Sequence, residues 1–425
     1  MKVAIVGSGV AGLAAAHALH REHAVEMFEA GSHVGGHVHT VRVPTSRGVL
    51  PVDMGFIVFN PGRYPNLCRL FDELGVASRP TDMSFSVRST SDGHEYGTSG
   101  LRALFARRRD FVRPAHYRLL LEIVRFTRVA RRRLREGNVA SSLTLGEWLA
   151  NEALHPDVID RFVVPLGAAI WSTSTTRMLD FPALAYLRFC ETHGMLDLVG
   201  APQWRTVVGG SETYVRALRE RIGLTVHVDT PVIRVHRERG GVVVETEAQG
   251  ARRFDRCILA GHADRSRAIL ADASPRERSV LGAFGFSRNT AFLHTDRSFL
   301  PVRRAAWSAW NLVADPGSRE RVAVTYWMNR LQGLEADDEY CVTLNPTTPI
   351  ASPRIVTRVD FEHPLFDRAA IDAQSEIPSI QGRGGVYFCG AWTRYGFHED
   401  GFTSGLTAAR ALREGATSEL AMEQA

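Results

Sequence analysis

The amino-terminal residues constrain the fold more than any other part of the chain. An apolar run, Val3 to Val6, leads into the turn Gly7-Ser8-Gly9-Val10-Ala11-Gly12, which an alanine-rich segment from Leu13 to Arg21 follows. A second apolar run, Ala24 to Phe28, ends in Glu29, seventeen residues after the last glycine of the turn. Strand, glycine-rich turn, helix, strand and acid in this order predict a β-α-β unit that binds a dinucleotide.

Each glycine of the turn has a separate physical task. Gly7 permits a tight turn, Gly9 lets the backbone approach a pyrophosphate, and Gly12 lets the helix pack closely on the strand. The N–H groups at the start of the helix would bind the phosphates, and Glu29 would accept hydrogen bonds from ribose hydroxyls. An acid at this strand end argues against a ribose that carries a 2′-phosphate.

A second pattern follows the acid. The residues Ala30-Gly31-Ser32-His33-Val34-Gly35-Gly36-His37 resemble the extended fingerprint of FAD proteins in the flavin amine oxidase and phytoene desaturase superfamily. In that superfamily a Gly-Gly-basic turn covers the pyrophosphate and the flavin, and the basic residue is usually Arg or Lys where this chain has His37. The resemblance implies bound FAD. It also implies an α/β fold of two domains: a Rossmann-like cofactor domain and a mixed α+β substrate domain.

The resemblance continues along most of the chain. Its further segments are Asp53-Met54-Gly55-Phe56 beside the isoalloxazine, Gly209-Gly210-Ser211 before an amphipathic helix (Glu212 to Ile222), the strand Val386 to Trp392, and Gly396 to Phe402 before a terminal helix (Thr403 to Arg413). In the family, the residue that matches Val232 pairs through its backbone with adenine. The residues that the resemblance assigns to FAD are Gly7, Ser8, Gly9, Val10, Ala11, Gly12, Glu29, Ala30, Gly35, Gly36, His37, Gly55, Phe56, Val232, Gly390, Ala391, Asp400, Gly401 and Phe402.

These segments predict a cofactor domain that is assembled from three separate pieces. Residues 1–60, 205–285 and 385–425 would form the FAD-binding domain, and 61–204 and 286–384 would form the substrate domain. Residues 61–204 are predicted to be mainly helical, 226–261 to contain three or four strands, and 286–384 to contain strands near 321–327 and 339–343.

Composition excludes several other classes of protein. A chain of 425 residues that is 44% hydrophobic can bury a large core, and five scattered cysteines form neither a disulfide framework nor a zinc site. The odd number and the scatter of the cysteines favour a reduced, cytoplasmic compartment, and no signal peptide or membrane span is evident.

A second dinucleotide motif is absent, and the only lysine, Lys2, begins the first strand. Many amine oxidases of the superfamily hold a substrate-domain lysine near the flavin, so polyamine and monoamine oxidation are less favoured.

A narrower resemblance concerns the substrate. The segments Gly55-Phe56-Ile57-Val58-Phe59-Asn60, Ala168-Ala169-Ile170-Trp171-Ser172 and Gly396 to Gly401 are similar to those of bacterial FAD-binding proteins. These proteins are related to the flavin domain of plant cyclopropane fatty-acid synthases and to flavoproteins that modify fatty acids. This resemblance implies an enzyme that dehydrogenates or isomerises a long apolar substrate, such as a fatty acyl chain or a phospholipid. Two alternatives stay open: an oxygen-dependent oxidase of a small amine or amino acid, and a flavin-binding accessory, without turnover, of a lipid methyltransferase.

Positive charge is concentrated in one stretch. Between Leu101 and Arg135 the chain has twelve arginines against Asp110 and Glu122, whereas the whole chain has a net charge of only +5. Residues 101–135 therefore have a composition that favours binding to an anionic membrane surface, and we expect this surface to be the inner face of the membrane. The alternative is a solvated helical face. Nucleic acid is a poorer candidate, because no recognition module is present and the rest of the chain is acidic.

Two further groups of residues are candidates for contact with the substrate and for catalysis. Phe59, Asn60, Trp171, Trp327 and Phe397 are the candidate substrate-contacting residues. His398, Glu399 and Tyr395 are the candidate catalytic residues, since a proton removed from the substrate needs an acceptor close to the flavin-binding helix. For the two acids at 399 and 400, capping of the last helix is the structural alternative.

Overall fold

A five-stranded parallel sheet carries the amino-terminal motif. The computed structural model describes residues 1–171, 173–197, 200, 202–313 and 323–423. The strands of the sheet lie in the order Thr225–His227, Ala24–Phe28, Lys2–Val6, Arg256–Leu259 and Val386–Phe388. Lys2–Val6 is the central strand and pairs in parallel with a strand on each side. Its apolar run is continuous because a central parallel strand is covered on both faces.

The two faces of this sheet have different covers. Val3 and Ile5 belong to a core shared with the first helix, Val10–Leu19, and the terminal helix, His398–Glu423. Ala4 faces the opposite side, where an antiparallel sheet of Val232–Glu238, Gly241–Thr246 and Gly250–Phe254 and the helices Ala263–Ile269 and Pro275–Gly282 complete a second core.

A seven-stranded sheet forms the centre of the other half of the molecule. Its strands, in spatial order, are Ile355–Pro364, Phe286–His294, Cys341–Leu344, Ala323–Trp327, Trp310–Val313, Phe85–Arg88 and Glu95–Gly97. A large helical core packs against it, built from Pro114–Arg135, Leu145–Asn151, Val164–Trp171 and Ala183–Thr192. The remaining α-helices are Pro65–Leu74, Leu101–Leu104, Pro156–Val158, Thr175–Leu179, Glu212–Ile222, Met328–Leu331 and Arg368–Gln374.

Smaller strands join the two halves. Thr40–Thr45 and Gly48–Asp53 form a ribbon, and Val58–Phe59, Trp204–Val207 and Ser78–Thr81 form a three-stranded sheet. The parallel sheet takes all its strands from the segments predicted for the cofactor domain, and the seven-stranded sheet takes all of its strands from those predicted for the substrate domain. The three-stranded sheet crosses the predicted boundary near residue 60, so the boundaries stay a prediction.

Several predicted elements differ from the structure. The terminal helix begins at His398 rather than Thr403, because the carboxylate of Asp400 accepts a hydrogen bond from the Phe397 N–H at its start. Residues 225–259 contain five strands rather than three or four, and residues 61–204 contain three short strands beside their helices. Ser172, and Arg321 and Val322 of a predicted strand, lie outside the described residues.

No helix in the described ranges is both long and apolar enough to cross a membrane.

The first and terminal helices cross at a small-residue contact. A Cβ atom added to Gly405 would lie 2.1 Å from the Ala11 carbonyl oxygen and 2.9 Å from the Ala14 side chain. A backbone oxygen on one helix therefore occupies the space that a side chain would need on the other. The two helices approach this closely only because residue 405 has no side chain.

We therefore expect Gly405→Ala to destabilise the protein by about 1–3 kcal/mol through overpacking, even though Ala favours helices. Denaturant unfolding measures this difference. Thr407→Ala, on the exposed side of the same helix, is the matched control and should change the stability by less than about 0.5 kcal/mol. Equal effects of the two substitutions would contradict a tight helix crossing.

Candidate functional site

The glycine-rich turn has the geometry of a phosphate cradle. Gly7 has a φ of +106°, and its N–H donates to the Phe28 carbonyl at 2.8 Å. A Cβ on Gly12 would lie 2.1 Å from the Gly7 oxygen, so only glycine permits this approach. A Cβ on Gly9 would meet nothing within 4 Å, which leaves open space directly before the helix. The free N–H groups of the first helical turn, at Val10 and Ala11, begin beside that space.

Glu29 lies beside the same turn. Its carboxylate accepts hydrogen bonds from the Ser8 N–H at 2.9 Å, the Ser8 hydroxyl at 2.6 Å and the Gly31 N–H at 2.9 Å. The Thr230 N–H donates to the Glu29 carbonyl at 2.9 Å, which brings the start of the strand at Val232 to this end of the site. The residues predicted for the adenosine half of FAD are thus brought together.

The second glycine pattern folds over the first. Gly36 has a φ of +58°, and a Cβ there would lie 3.1 Å from the Gly9 Cα. The His37 carbonyl then accepts from the Phe56 N–H at 2.8 Å. The His37 ring is stacked on Phe361, and its buried Nε2 has no hydrogen-bond partner. Burial, together with neighbouring histidines, holds the pKa of His37 well below its usual value, so its ring is neutral.

Two helix starts converge at this place. A Cβ on Gly401, in the first turn of the terminal helix, would lie 2.7 Å from Val10 Cγ1 and 3.5 Å from the Ala391 side chain. The Gly390 N–H donates to the Ser404 hydroxyl at 2.9 Å, which fixes the loop before the helix. The positive ends of two helix dipoles therefore point at neighbouring parts of one site, where negative charge is stabilised.

His398 lies between two aromatic side chains. Its ring is stacked on Phe56 at 3.8 Å with an interplanar angle of 10°, and its Nε2 lies 2.6 Å from the Tyr214 hydroxyl. Burial lowers the pKa of His398 to about 3 and raises the pKa of Tyr214 well above its usual value. Both groups are therefore uncharged at neutral pH. A catalytic role for His398 stays a prediction.

The other predicted catalytic residues have different surroundings. Glu399 accepts from the Asn66 N–H at 2.9 Å and the Leu67 N–H at 3.1 Å, so it caps the helix Pro65–Leu74 rather than its own helix. Tyr395 packs against the large helical core. Burial raises the pKa of Asp400 to about 6, although the Phe397 N–H favours its charged form.

Sequence reasoning missed Asp53 as a linking residue. Its fully buried carboxylate accepts from the Thr40 hydroxyl, from the Ser211 N–H and hydroxyl, and from Gln332 Nε2 at 2.5–3.0 Å. Gln332 Oε1 in turn accepts from the Asp53 N–H at 2.8 Å. Burial raises the pKa of Asp53 to about 6. One side chain therefore connects the ribbon that leads to Phe56 with two distant segments.

A cavity of about 750 Å³ lies in the substrate half. The apolar part of its wall includes Leu120, Ile123, Val124, Phe162, Leu166 and Trp310. His193 also belongs to the wall, and its ring lies 5.3 Å from the ring of Phe397. Phe397 directly precedes the terminal helix. The cavity wall therefore contacts Phe397, which lies at the predicted flavin end of the site.

The predicted substrate residues fall into two groups. Trp171 and Phe397 share an aromatic cluster with Phe189 behind the cavity wall. Phe59 instead packs on Tyr64 and Phe71 in the core of the cofactor half, and Asn60, buried beside it, accepts from the Gly62 N–H at 3.0 Å. Trp327 packs on Trp307 and donates to Glu339, so it does not line this cavity.

A buried polar cluster lies away from the flavin end. His94 Nε2 and His116 Nδ1 are 3.1 Å apart, and Asp110 lies close enough for the three residues to share a metal ion. The carboxylate of Asp110 also lies 3.9 Å from Arg107 Nε, which neutralises part of its charge. Wide spacing along the chain hides this group from a motif search.

Comparisons with known proteins agree with this geometry. A model of the flavin containing amine oxidoreductase family matches residues 10–413. The chain belongs to this family. It is 29% identical over 265 residues to a putative flavin-containing monoamine oxidase, AofH, of Mycobacterium tuberculosis, and 32% identical over 151 residues to the flavin-dependent L-tryptophan oxidase RebO of Lentzea aerocolonigenes. The first match covers 58% of this chain and 53% of AofH, and the second covers 35% of this chain and 28% of RebO. The chain thus spans about half or less of the curated relatives it matches.

Solved structures share the fold over nearly the whole chain. Cyclohexylamine oxidase from Brevibacterium oxydans aligns with a TM-score of 0.70 at 17% identity, covering 98% of this chain and 99% of that one. Putrescine oxidase gives 0.69 at 16% identity, covering 97% and 99%. A fatty acid isomerase from P. acnes gives 0.67 at 16% identity, covering 96% and 98%. At these identities the likeness is one of fold, and the amine-oxidase-like two-domain architecture is confirmed.

The family's cofactor, FAD, fits the residues present. The open space at Gly9, the acid at Glu29 and the unpartnered Nε2 of His37 would provide a phosphate cradle, a ribose acceptor and a polar contact for it. The family and the geometry of the site together support FAD as the group that this site would hold. Bound FAD would supply two-electron redox chemistry, and the residues of the chain would position it.

Glu29→Ala should weaken FAD binding by about tenfold to a hundredfold, because it removes the ribose acceptor and leaves Ser8 and Gly31 donors without their partner. Fluorescence titration of the deflavinated protein with FAD measures the change. Glu247→Ala removes an exposed acid and should leave the affinity as it is. Unchanged affinity in the Glu29 variant would place the ribose elsewhere.

Asp53→Asn should change the pH dependence of stability. Because the pKa of Asp53 is raised on folding, the folded protein holds a proton that the unfolded chain releases between roughly pH 4 and 6. Wild-type stability should therefore fall relative to the Asn variant as the pH rises through this window, by on the order of 3 kcal/mol. Denaturant unfolding with excess FAD at both ends of the window measures it. The exposed Asp337→Asn is the matched control. A stability difference between the wild type and Asp53→Asn that does not change across the window would refute the raised pKa of Asp53.

Proposed function

We propose that this oxidoreductase dehydrogenates or isomerises a long apolar substrate, such as a fatty acyl chain. The observation that carries the proposal is the cavity, whose wall is mainly apolar and whose His193 contacts Phe397 at the flavin end. Ligand sites of this size commonly have apolar walls with a few polar groups that orient the ligand. A long hydrocarbon would replace water along such a wall, which is favourable in proportion to the apolar area that is buried.

The acids of the cavity wall support an uncharged substrate region. Asp82 is paired with Arg330, whose Nε lies 2.5 Å from its carboxylate, and Asp197 is paired with Arg131 at 3.0 Å. Both negative charges are therefore already compensated. A protonated amine would need an unpaired carboxylate for compensation of its own charge when it leaves water.

The histidine of the cavity wall, His193, is also uncharged. Burial lowers the pKa of His193 to about 4, so its ring is neutral at physiological pH. Its Nδ1 lies 3.0 Å from the Phe189 carbonyl oxygen, which orients the ring against Phe397. The contact between the cavity and the flavin end is thus aromatic and uncharged.

In this proposal the chain binds and orients the substrate and excludes water from it. A C–H bond must be held at one place against FAD, and the mainly apolar cavity wall would do this by its shape. The proton that leaves the substrate needs an acceptor, and His398, held by Phe56 and Tyr214, is the candidate group. Because burial disfavours its protonated form, His398 would have to pass the proton on rather than keep it.

An amine or amino acid oxidase is the second candidate. It is favoured by the names of the sequence relatives AofH and RebO. An accessory protein that binds FAD without turnover, and that associates with a lipid methyltransferase, is the third. The fold itself does not discriminate, since an amine oxidase and a fatty acid isomerase align with it almost equally well.

Anaerobic mixing of the FAD-loaded protein with separate substrates distinguishes these candidates. Bleaching of the flavin absorbance by oleate or dioleoyl-phosphatidylglycerol, with no bleaching by putrescine, tyramine or tryptophan, is the expected result. Mass spectrometry and chromatography of the same samples would locate lost hydrogens, or a moved double bond where the reaction is an isomerisation. Bleaching by an amine alone would support the oxidase. No bleaching and no altered lipid would support the accessory role.

His398→Gln should slow reaction with the substrate identified in that experiment by about a hundredfold while the FAD content stays normal. Tyr214→Phe removes only the hydroxyl that holds the imidazole and should have a smaller effect. His155→Gln serves as the control, because His155 caps the helix Pro156–Val158 in the substrate half rather than lying at the flavin end. Unchanged turnover in the His398 variant would remove that residue from the catalytic machinery.

A further inference from the structure

A patch of large apolar side chains is exposed at one end of the arginine-rich helix. Leu101, Phe111, Val112, Tyr117 and Leu121 are 76%, 57%, 82%, 42% and 69% exposed. The Tyr117 hydroxyl donates to the Phe111 carbonyl at 2.8 Å, and both rings lie near Phe105. Leu121 follows Tyr117 by one helical turn, so it lies on the same side of the helix Pro114–Arg135. These five residues form the apolar patch.

Arginines without an acid partner surround and extend this patch. Six of the twelve arginines in residues 101–135 take part in ion pairs: Arg107, Arg113, Arg118, Arg125, Arg131 and Arg133. The other six, which are all exposed and have no ion pair among the described residues, are Arg102, Arg108, Arg109, Arg128, Arg132 and Arg135. We call these six residues and the apolar patch the docking face.

An adjacent side of the same helix lines the cavity. Leu120, Ile123, Val124 and Thr127 belong to the cavity wall, and so does Leu104, in the short helix that begins at the exposed Leu101. The same helix therefore contributes to both the docking face and the wall of the proposed substrate cavity.

We propose that the docking face binds the surface of an anionic lipid bilayer. Apolar side chains that enter the headgroup region, surrounded by arginines that reach lipid phosphates, are the two components of interfacial binding. The rest of the chain has a net negative charge, so an anionic surface attracts this face and repels the others. Contiguous exposed apolar side chains also favour a lipid over a purely charged partner.

Binding in this orientation would bring the cavity next to the source of an acyl chain. This step rests on the proposed function, whereas binding to the bilayer rests on the docking face alone. A long acyl chain is poorly soluble in water, so an enzyme that acts on it gains from access to the membrane phase.

Vesicle co-sedimentation of the FAD-loaded, full-length protein tests the inference. We expect binding to phosphatidylcholine vesicles that contain phosphatidylglycerol, much weaker binding to pure phosphatidylcholine, and loss of binding at high salt. Arg108→Gln/Arg109→Gln and Phe111→Ser/Val112→Ser should each reduce partitioning by about tenfold or more. Normal flavin content and circular dichroism would show that each variant is folded.

Matched controls lie elsewhere on the surface. Arg216→Gln/Arg219→Gln removes two exposed arginines of the helix Glu212–Ile222 that have no ion pair among the described residues, and Val49→Ser removes an apolar side chain that is 61% exposed. Both should partition like the wild type. Insertion can be read separately, since Val112→Trp should add fluorescence that brominated acyl chains quench, whereas Val49→Trp should not.

Several outcomes would overturn the inference: no vesicle binding, equal binding to uncharged vesicles, equal losses in the control variants, or binding to single-stranded DNA in place of vesicles. Failure of the proposed function is distinguishable from these. Vesicle binding without bleaching or lipid modification would refute only the acyl substrate. Modification of free oleate without vesicle binding would refute only the docking face.

Discussion

The close crossing of the first and terminal helices is the constraint on which the site depends. Gly405 lets the terminal helix lie against the Ala11 carbonyl, and Gly401 brings its first turn against Val10. Residues nearly four hundred positions apart thereby place two helix N-termini next to each other. A helix N-terminus carries a partial positive charge, so a long anionic cofactor would be stabilised by both ends. A larger side chain at this crossing would separate the two halves of the cradle.

Asp53 connects that cradle to the substrate half. Its carboxylate holds the Ser211 turn, the Thr40 ribbon and Gln332 together, although burial disfavours its charge. A buried acid with this many donors is stabilised by hydrogen bonds rather than by a cation. The pKa of Asp53 is nevertheless raised, because these hydrogen bonds do not fully offset the cost of burying its charge. Because Phe56 follows three residues later and stacks on His398, the polar network also orients the aromatic pair at the flavin end.

Local patterns allowed much of the fold to be predicted. The strand Ala24–Phe28 and the helix Glu212–Ile222 have the predicted bounds, since periodicity and turn residues act over short distances. The family resemblance supplied the order of the remaining cofactor segments. The capping of Pro65–Leu74 by Glu399 was not predictable, because it joins residues more than three hundred positions apart. The face on which Trp327 lies depends on strand register, which the sequence of one strand does not determine.

The arginines of the helix Pro114–Arg135 differ in function according to the direction in which they point. Arg131 reaches Asp197 on the cavity wall and compensates its charge, whereas Arg128, Arg132 and Arg135 are exposed without an acid partner. A helix with one apolar side toward the cavity and a cationic side toward solvent therefore keeps the interior uncharged and the exterior positive. The same division of charge suits a substrate with a hydrocarbon chain and an anionic head. The hydrocarbon would lie in the cavity, and the anionic membrane surface from which it comes would lie against the exposed side of the helix.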